Sequence, residues 1–339
     1  MRLTIVVPCY NEEPVLPETS KRLVALLERL IAARAIDPES HVLYVDDGSR
    51  DRTWPIIEEH SRHMPHIRGI KLSRNRGHQN ALIAGMFHAD GDVVISVDAD
   101  LQDDLEAIVE MLAMCRKGID VVYGVRSRRD TDSFMKRFTA EGYYRLLGRM
   151  GVEIIFNHAD YRLLSRRVIE SLRQYGESNL FIRAIVPQLG YPSATVYYDR
   201  AERFAGESKY PFRKMLAFAW EGITSFSAAP LRLITGMGFV VSLGSVLFAA
   251  WALGVKLFSD STVPGWASTV VPIYLLGGVQ LLAIGIIGEY LAKIYLETKR
   301  RPRYFIEQST DNPLPSGSGC PSQPDHLLGD AIEQSANFS

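Results

Sequence analysis

The sequence lacks net charge: 38 Lys and Arg stand against 39 Asp and Glu, which leaves −1 over 339 residues with histidine neutral. That balance excludes a strongly basic nucleic-acid binder and an acidic disordered chain. Cysteine is scarce too. Cys9, Cys115 and Cys320 are widely spaced, with no CxxC pair, which excludes a paired-cysteine zinc or dithiol site and reads as reduced thiols in a cytosolic environment. There is no Walker A sequence, no GxGxxG after the first apolar run, no GxSxG and no HExxH. P-loop ATPases, NAD enzymes, lipases and zinc proteases are therefore disfavoured. The opening MRLTIVVPCYNEE is too short in its apolar part for a signal peptide and ends in charge. It reads as a first strand, so the N-terminal domain is expected to stay in the cytoplasm.

Charge is also missing locally. Residues 233–255 and 263–288 carry none, and each run exceeds the roughly 20 residues a helix needs to cross about 30 Å of hydrocarbon. Two membrane spans are expected, about 233–255 and 268–290, joined as a hairpin. Arg232 precedes the first, while Lys293, Lys299, Arg300, Arg301 and Arg303 follow the second and Lys256 alone lies in the connection. Both ends are thus expected on the cytoplasmic side of a multi-pass membrane protein. Before the first span, Phe212, Met215, Leu216, Ala219, Trp220, Ile223 and Phe226 share a helical face. Residues 211–230 are read as an amphipathic interfacial helix on membrane lipid, with a packed core helix as the alternative. The division is then a charged soluble domain over 1–210, that helix, a hairpin over 231–298, and a basic segment with a disordered tail over 299–339. Gln280, inside the second span, is assigned to helix packing, and the Gly-rich second span leaves open a simple anchor or a homo-oligomer.

Short β-branched runs alternate with helical patterns through the first half: 3–7, 41–45, 67–72, 93–97 and 119–123 against stretches such as Thr19–Arg34. Strand and helix in alternation imply an α/β fold with a mostly parallel sheet covered on both faces. Ligands bind such sheets at the carboxyl ends of the strands, near the point where strand order reverses. Three runs end in polar clusters, Pro8–Glu12, Asp46–Ser49 and Asp98–Asp103, which should share one edge. Residues 130–210 read as a less regular mix of helix and loop.

Asp98 and Asp100 flank one residue beyond a strand and can converge on one divalent ion, Mg²⁺ or Mn²⁺, with Gln102 adding a carbonyl oxygen. Asp47 can accept hydrogen bonds from a base or ribose, while Ser49 and Asp51 fit an Asx-turn or cap near Thr53. Arg126, Arg128, Arg203 and Lys209 are candidates for phosphates.

These residues fall into a recognisable series. Val6-Pro-Cys-Tyr-Asn-Glu12, Val45-Asp-Asp-Gly-Ser49, Asn75-Arg-Gly77 with Ala81, and Val97-Asp-Ala-Asp-Leu-Gln-Asp103 resemble the successive motifs of family 2 glycosyltransferases with the Rossmann-like GT-A fold. Ala159-Asp-Tyr-Arg-Leu-Leu164, Arg203-Phe-Ala-Gly-Glu-Ser-Lys209, and Gly288-Glu-Tyr-Leu291 with Arg301-Pro-Arg-Tyr304 resemble the polyprenyl-phosphate group within it. That group includes dolichyl-phosphate mannose synthase and bactoprenol glucosyltransferases. The resemblance covers roughly residues 3–306. It implies nucleotide contacts at Pro8, Tyr10, Glu12, Val45 and Asp47, and diphosphate and metal contacts at Asp98, Ala99 and Asp100, with Gln102 a further ligand. It places Arg126 near the phosphates, Arg203 and Lys209 on a loop closing over donor and acceptor, Arg137 as a second acceptor arginine, and Asp160 as a catalytic aspartate of open role.

The reaction implied is inverting transfer of a hexose, first choice glucose from UDP-glucose, from a nucleotide sugar to undecaprenyl phosphate. A phosphate oxygen is already largely dianionic near neutral pH and needs no strong base. Two alternatives stand beside it: a polysaccharide synthase of the same family, against which no Gln-x-x-Arg-Trp motif is present, and a non-catalytic membrane scaffold, which has no need of Asp98, Asp100 and Asp160 together.

Overall fold

The computed structural model describes residues 1–126, 158–177, 180, 182–199, 230–231, 234–241, 243–244, 247, 251 and 266–311. Apolar, β-branched stretches become strands buried on both faces, as LTIVVPC and HVLYVD do in β1 (Leu3–Cys9) and β2 (His41–Asp46). A strand whose residues are all buried reads as a continuous apolar run rather than an alternating one. Between and after them come α1 (Leu16–Ala32), α2 (Thr53–His63), β3 (Ile67–Leu72), α3 (His78–His88), β4 (Val93–Ser96), α4 (Ala107–Arg116) and β5 (Val121–Arg126). The chain continues through β6 (His158–Ser165), α5 (Arg166–Arg173), α6 (Ile182–Gln188), β7 (Ser193–Tyr198), α7 (Trp266–Thr298) and β8 (Ile306–Ser309).

The eight strands form one sheet in the order β7-β5-β6-β4-β1-β2-β3-β8. β4, β1, β2 and β3 are mutually parallel, as are β5 and β7, whereas β6 runs antiparallel between β4 and β5. Strand order reverses beside β1, with β2 on one side and β4 on the other. The expected mostly parallel α/β sheet is thus observed, and the three polar strand ends lie on one edge. Helices α1, α2 and α4 cover one face around Leu23, Leu27, Ile57 and Met111, and α3, α5 and α6 cover the other around Leu82, Ile83, Val168 and Ile185. α3 lies so close to the sheet that a Cβ on Gly85 would collide with Val6 and Val45.

Two expectations change. Residues 130–210 contain two sheet strands, β6 and β7, rather than only helix and loop. The tail beyond Glu307 is not disordered from its start: Ile306–Ser309 pairs antiparallel with β3. Thr310 extends that pairing, its amide donating to the Gly69 carbonyl and its hydroxyl accepting from the Gly69 amide, both at 2.9 Å. Arg303 donates to the carbonyls of Glu177 and Tyr175, so the chain leaving α7 is tied to the α/β unit at two places.

α7 has 33 residues, about 50 Å at a rise of about 1.5 Å per residue. Its stretch Leu276–Thr298 is long and apolar enough to cross a membrane, and Leu281, Leu282, Ile284, Leu291 and Ile294 are exposed. A contiguous apolar surface of this kind calls for a partner less polar than water. Among the described residues this is the one helix that meets the criterion. Of the other expected span, residues 234–241, 243–244, 247 and 251 are helical, and the rest lies outside the described residues, as do the interfacial helix expected over 211–230 and its neighbours Arg203 and Lys209.

Candidate active site

The loops after β1 and β2 hold each other. Asn11 adopts a left-handed φ of 56°; its side-chain oxygen accepts from the Arg50 amide and its own amide donates to the Ser49 hydroxyl. Pro8 lies beyond Val6, the last β1 residue paired with β4, so its missing N–H is not needed there. Pro8 pairs with Val45 across the β1–β2 ladder, Tyr10 is exposed beside it, and the Glu12 amide donates to the Thr53 hydroxyl. Asp51 accepts from the Thr53 amide and hydroxyl, the expected turn.

Asp47 is buried, and its two oxygens accept the backbone amides of Arg76 at 2.6 Å and Gly77 at 2.8 Å, which fixes the loop leading into α3. Burial pushes its carboxyl pKa up, against those two amides.

Beyond β4, the Ala99 carbonyl accepts from Thr19 on α1, Leu101 takes a left-handed φ of 56°, and Asp100 accepts from the Gln102 amide at 3.3 Å. The Gln102 side chain is buried. A left-handed non-glycine residue costs about 1–3 kcal/mol and persists where its surroundings fix it. Asp98 stands beside His78, whose Nε2 is 3.7 Å from its Oδ1. Burial pushes the Asp98 pKa up to about 6, with His78 opposing and Asp103, Asp160 and Asp100 adding to it.

Because β6 is antiparallel, its first residues return to the edge where β4 and β5 end. Asp160 is thereby set beside Asp98, with three cationic partners: His78 Nε2 at 3.3 Å, Arg162 Nη2 at 2.5 Å, and Arg183, which donates through Nε at 3.1 Å and Nη2 at 2.8 Å. The Arg162 side chain is 0% exposed and that of Arg183 39%. Burial pushes the Asp160 pKa up, but His78, Arg162 and Arg183 outweigh it and hold the carboxyl well below its usual range. His78 is raised in turn, burial being outweighed by Asp160 and Asp98.

On the opposite face of the sheet, Arg126 at the end of β5 donates to the Tyr198 hydroxyl at 3.3 Å, and that hydroxyl donates to Asp103 at 2.6 Å. Tyr198 stacks edge-on with Tyr161 at 5.2 Å between ring centroids. Asp98 therefore stands between a cationic group on the α3 and α6 side and Arg126 on the α4 side.

Asp98 and Asp100 offer hard oxygen donors, and the mutual repulsion of carboxylates around Asp98 is what a cation would relieve. Among the described residues no group of three His, Cys, Asp or Glu is placed to hold a metal. The donor set suits an ion bound by one or two carboxylates that takes its other ligands from phosphate and water, as Mg²⁺ does.

Comparison with known proteins decides the family. The model of "Glycosyl transferase family 2" matches residues 4–173. A bactoprenol glucosyl transferase derived from the SfII prophage of Shigella flexneri is 40% identical over 311 residues, 91% of this chain and 98% of that protein. The chain belongs to glycosyl transferase family 2. The uncharacterized glycosyltransferase YkoT of Bacillus subtilis is 50% identical over 307 residues, 90% of this chain and 91% of its own. Among solved structures, the mannosyltransferase PcManGT from Pyrobaculum calidifontis, in complex with GDP-Man and Mn²⁺, is 18% identical with a TM-score of 0.41, covering 87% of this chain and 84% of that one.

Of the residues singled out in this family 2 sequence, Pro8, Tyr10, Glu12, Val45, Asp47, Asp98, Ala99, Asp100, Gln102, Arg126 and Asp160 lie along one sheet edge. Arg128, Arg137, Arg203 and Lys209 lie outside the described residues. Sequence reasoning passed over His78, Arg162, Arg183, Asp103 and Tyr198. Arg162 lies two places from Asp160, but two charges in so short a run read as loop rather than as a buried pair. Arg183 and Tyr198 carried no signal, because only the fold brings them there.

Proposed function

We propose that this glycosyltransferase transfers glucose from UDP-glucose to undecaprenyl phosphate at the inner face of the bacterial cytoplasmic membrane. The observation that carries the reading is the 40% identity to bactoprenol glucosyl transferases over nearly their whole length. The helix α7, tied back to the catalytic sheet through Arg303 and β8, supports a membrane-held enzyme, and with the uncharged run 233–255 we read a two-span hairpin. A lipid-linked acceptor stays in the bilayer, so the catalytic edge has to be held at headgroup level.

The nucleotide is assigned to the ends of β1 and β2, at Pro8, Tyr10, Glu12, Val45 and Asp47, the last of which also fixes the loop leading into α3. A divalent cation held by Asp98 and Asp100, with Gln102 beside them, would neutralise the departing diphosphate. Arg126, fixed by Tyr198 and Asp103, adds positive charge on that side, and Arg203 and Lys209 are assigned to the loop that screens both phosphates. The acceptor oxygen attacks the anomeric carbon from the side opposite the diphosphate, with inversion. Asp160, held ionised between His78, Arg162 and Arg183, is poorly suited to take a proton, and a phosphate dianion has none to give up. Its role is to fix the charged groups around it.

The test is to incubate the purified full chain in detergent with undecaprenyl phosphate, Mg²⁺ and a panel of radiolabelled nucleotide sugars. Label entering the lipid phase from UDP-glucose alone supports the reading. Label from a different donor corrects the sugar, and none from any donor removes it.

A further inference from the structure

Resting on the assignment of the nucleotide to the ends of β1 and β2, we propose that Phe305, on the segment that returns from α7, is a positioning residue for the donor. It acts through Arg76, on the loop of residues 73–77 that joins β3 to α3. That loop borders the assigned nucleotide site. Asp47 holds the amides of Arg76 and Gly77, and Gly48 packs so closely that a Cβ on it would lie 2.7 Å from the backbone of Arg74 and Asn75.

The chain reaches this loop within a few residues of leaving α7. Arg303 donates to the carbonyls of Glu177 and Tyr175, and Tyr304 meets His88 of α3 edge-on, at 6.0 Å between ring centroids. Tyr304 and Ile306 both pack against the core on the α3 side. Phe305, between them, is 54% exposed, as alternation along an extended segment gives. Its carbonyl accepts from the Ser73 amide at 3.0 Å, and its ring centroid lies 5.9 Å from the Arg76 guanidinium, within reach of a cation–π contact. A bulge sets this register. Lys71 pairs with Gln308 and Leu72 with Ile306, so Glu307 is an extra residue in β8; without it, Ile306 rather than Phe305 would stand opposite Ser73. Bulges beside sites re-aim a side chain in this way.

Arg76 is thus held from two sides. Asp47 takes its amide and the Asn80 side chain donates to its carbonyl at 2.8 Å, while its Nε is buried without a hydrogen-bond partner among the described residues and the Phe305 ring lies against its guanidinium. Removing the ring keeps the backbone bonds of Ser73 and Asp47 but releases the Arg76 side chain. The loop then spends less time in the form that receives the nucleotide, and apparent affinity falls by that fraction.

The experiment compares wild type, Phe305→Ala, Phe305→Leu, Phe305→Tyr and Thr310→Val as full chains in detergent with Mg²⁺, by calorimetric titration of UDP and GDP and by transfer kinetics. For the nucleotide that wild type binds, Phe305→Ala and Phe305→Leu raise the Kd and the donor KM roughly 3- to 10-fold, the equivalent of a partly desolvated cation–π contact. Phe305→Tyr keeps the aromatic face and stays within about twofold. So does Thr310→Val, which loosens the same strand at Gly69 and separates positioning from a general weakening of β8. The KM for undecaprenyl phosphate and kcat stay within about twofold throughout, and hydrogen exchange at the amides of residues 74–77 speeds up in the Ala and Leu variants. Should Phe305→Ala fail to fold, Phe305→Leu carries the same comparison. An unchanged nucleotide Kd in the Ala and Leu variants overturns the proposal, as does an equal rise in Phe305→Tyr or Thr310→Val. If wild type transfers no sugar to undecaprenyl phosphate while Phe305→Ala weakens nucleotide binding, the reaction is wrong and the positioning stands. If wild type transfers glucose and Phe305→Ala binds UDP equally well, the reaction stands and the positioning is wrong. A wild type that binds neither nucleotide overturns both.

Discussion

Replacing Asp160 with Asn removes the only carboxylate that contacts Arg162 among the described residues while keeping the side chain's shape. Arg162 is 0% exposed, and its Nε and Nη1 have no hydrogen-bond partner among the described residues, so no solvent or neighbour takes over the lost charge. Breaking a buried ion pair on one side costs about 3–5 kcal/mol, because the remaining charge stays buried. For a catalytic domain of this size about 1 kcal/mol shifts Tm by about 2–4 °C, so Asp160→Asn is expected to melt roughly 6–20 °C below wild type in detergent. The sign of the pH dependence follows from the depressed pKa of Asp160. Its stabilisation is fully present above the unfolded carboxylate pKa of about 4 and is lost as pH falls toward the folded value. The gap between the two melting temperatures should be widest near pH 5 to 6, where His78 is charged as well, narrow as pH rises through the raised His78 pKa, and close in stronger acid as Asp160 takes up its proton. A variant that melts within about 2 °C of wild type at pH 7, or a gap that closes near pH 6, refutes the reasoning.

Other perturbations test other parts of the site. Gly48 has φ of +69°, and a Cβ there would lie 2.7 Å from the backbone of Arg74 and Asn75; Gly48→Ala should cost at least about 1–2 kcal/mol and raise the donor KM, read by melting and kinetics. Tyr198→Phe should lower stability by about 1 kcal/mol and weaken donor binding, because Arg126 loses the hydroxyl between it and Asp103 and keeps only their 3.6 Å ion pair; unchanged donor affinity by calorimetry would contradict this. Thr310→Val leaves the buried Gly69 amide unpaired, at about 1–3 kcal/mol, and should speed hydrogen exchange along β3. Chelation with EDTA should stop transfer and added Mg²⁺ or Mn²⁺ should restore it, with Asp98→Ala and Asp100→Ala failing to respond to either ion.

The first five strands were legible in the sequence because each is an apolar run ended by polar residues, and their observed ranges begin within two residues of the expected ones. β6 was hidden for a physical reason. Asp160 and Arg162 neutralise each other inside the sheet, and two charges in one short stretch mimic a loop. β8 was hidden because an edge strand needs little hydrophobicity: Ile306-Glu-Gln-Ser309 gains its place from backbone pairing with β3 and from the Lys71–Glu307 ion pair at 3.3 Å. In the site, Asp98 and Asp100 were legible as a carboxylate pair beyond a strand, and Asp160 through the resemblance to family 2 motifs. What surrounds them was not, since His78, Arg183 and Tyr198 arrive from α3, α6 and β7 through long-range pairing that no spacing rule encodes. Asp47 adds a role that no spacing shows, since its two oxygens also hold the backbone amides of Arg76 and Gly77.

The most direct measurement of the central claim is the lipid-phase product formed by the purified full chain with UDP-[¹⁴C]glucose, Mg²⁺ and either undecaprenyl phosphate or undecaprenol. The account predicts one labelled lipid with undecaprenyl phosphate, none with undecaprenol, and one UDP released for each glucose transferred. Equal labelling of both lipids, or UDP release with no labelled lipid, would contradict it.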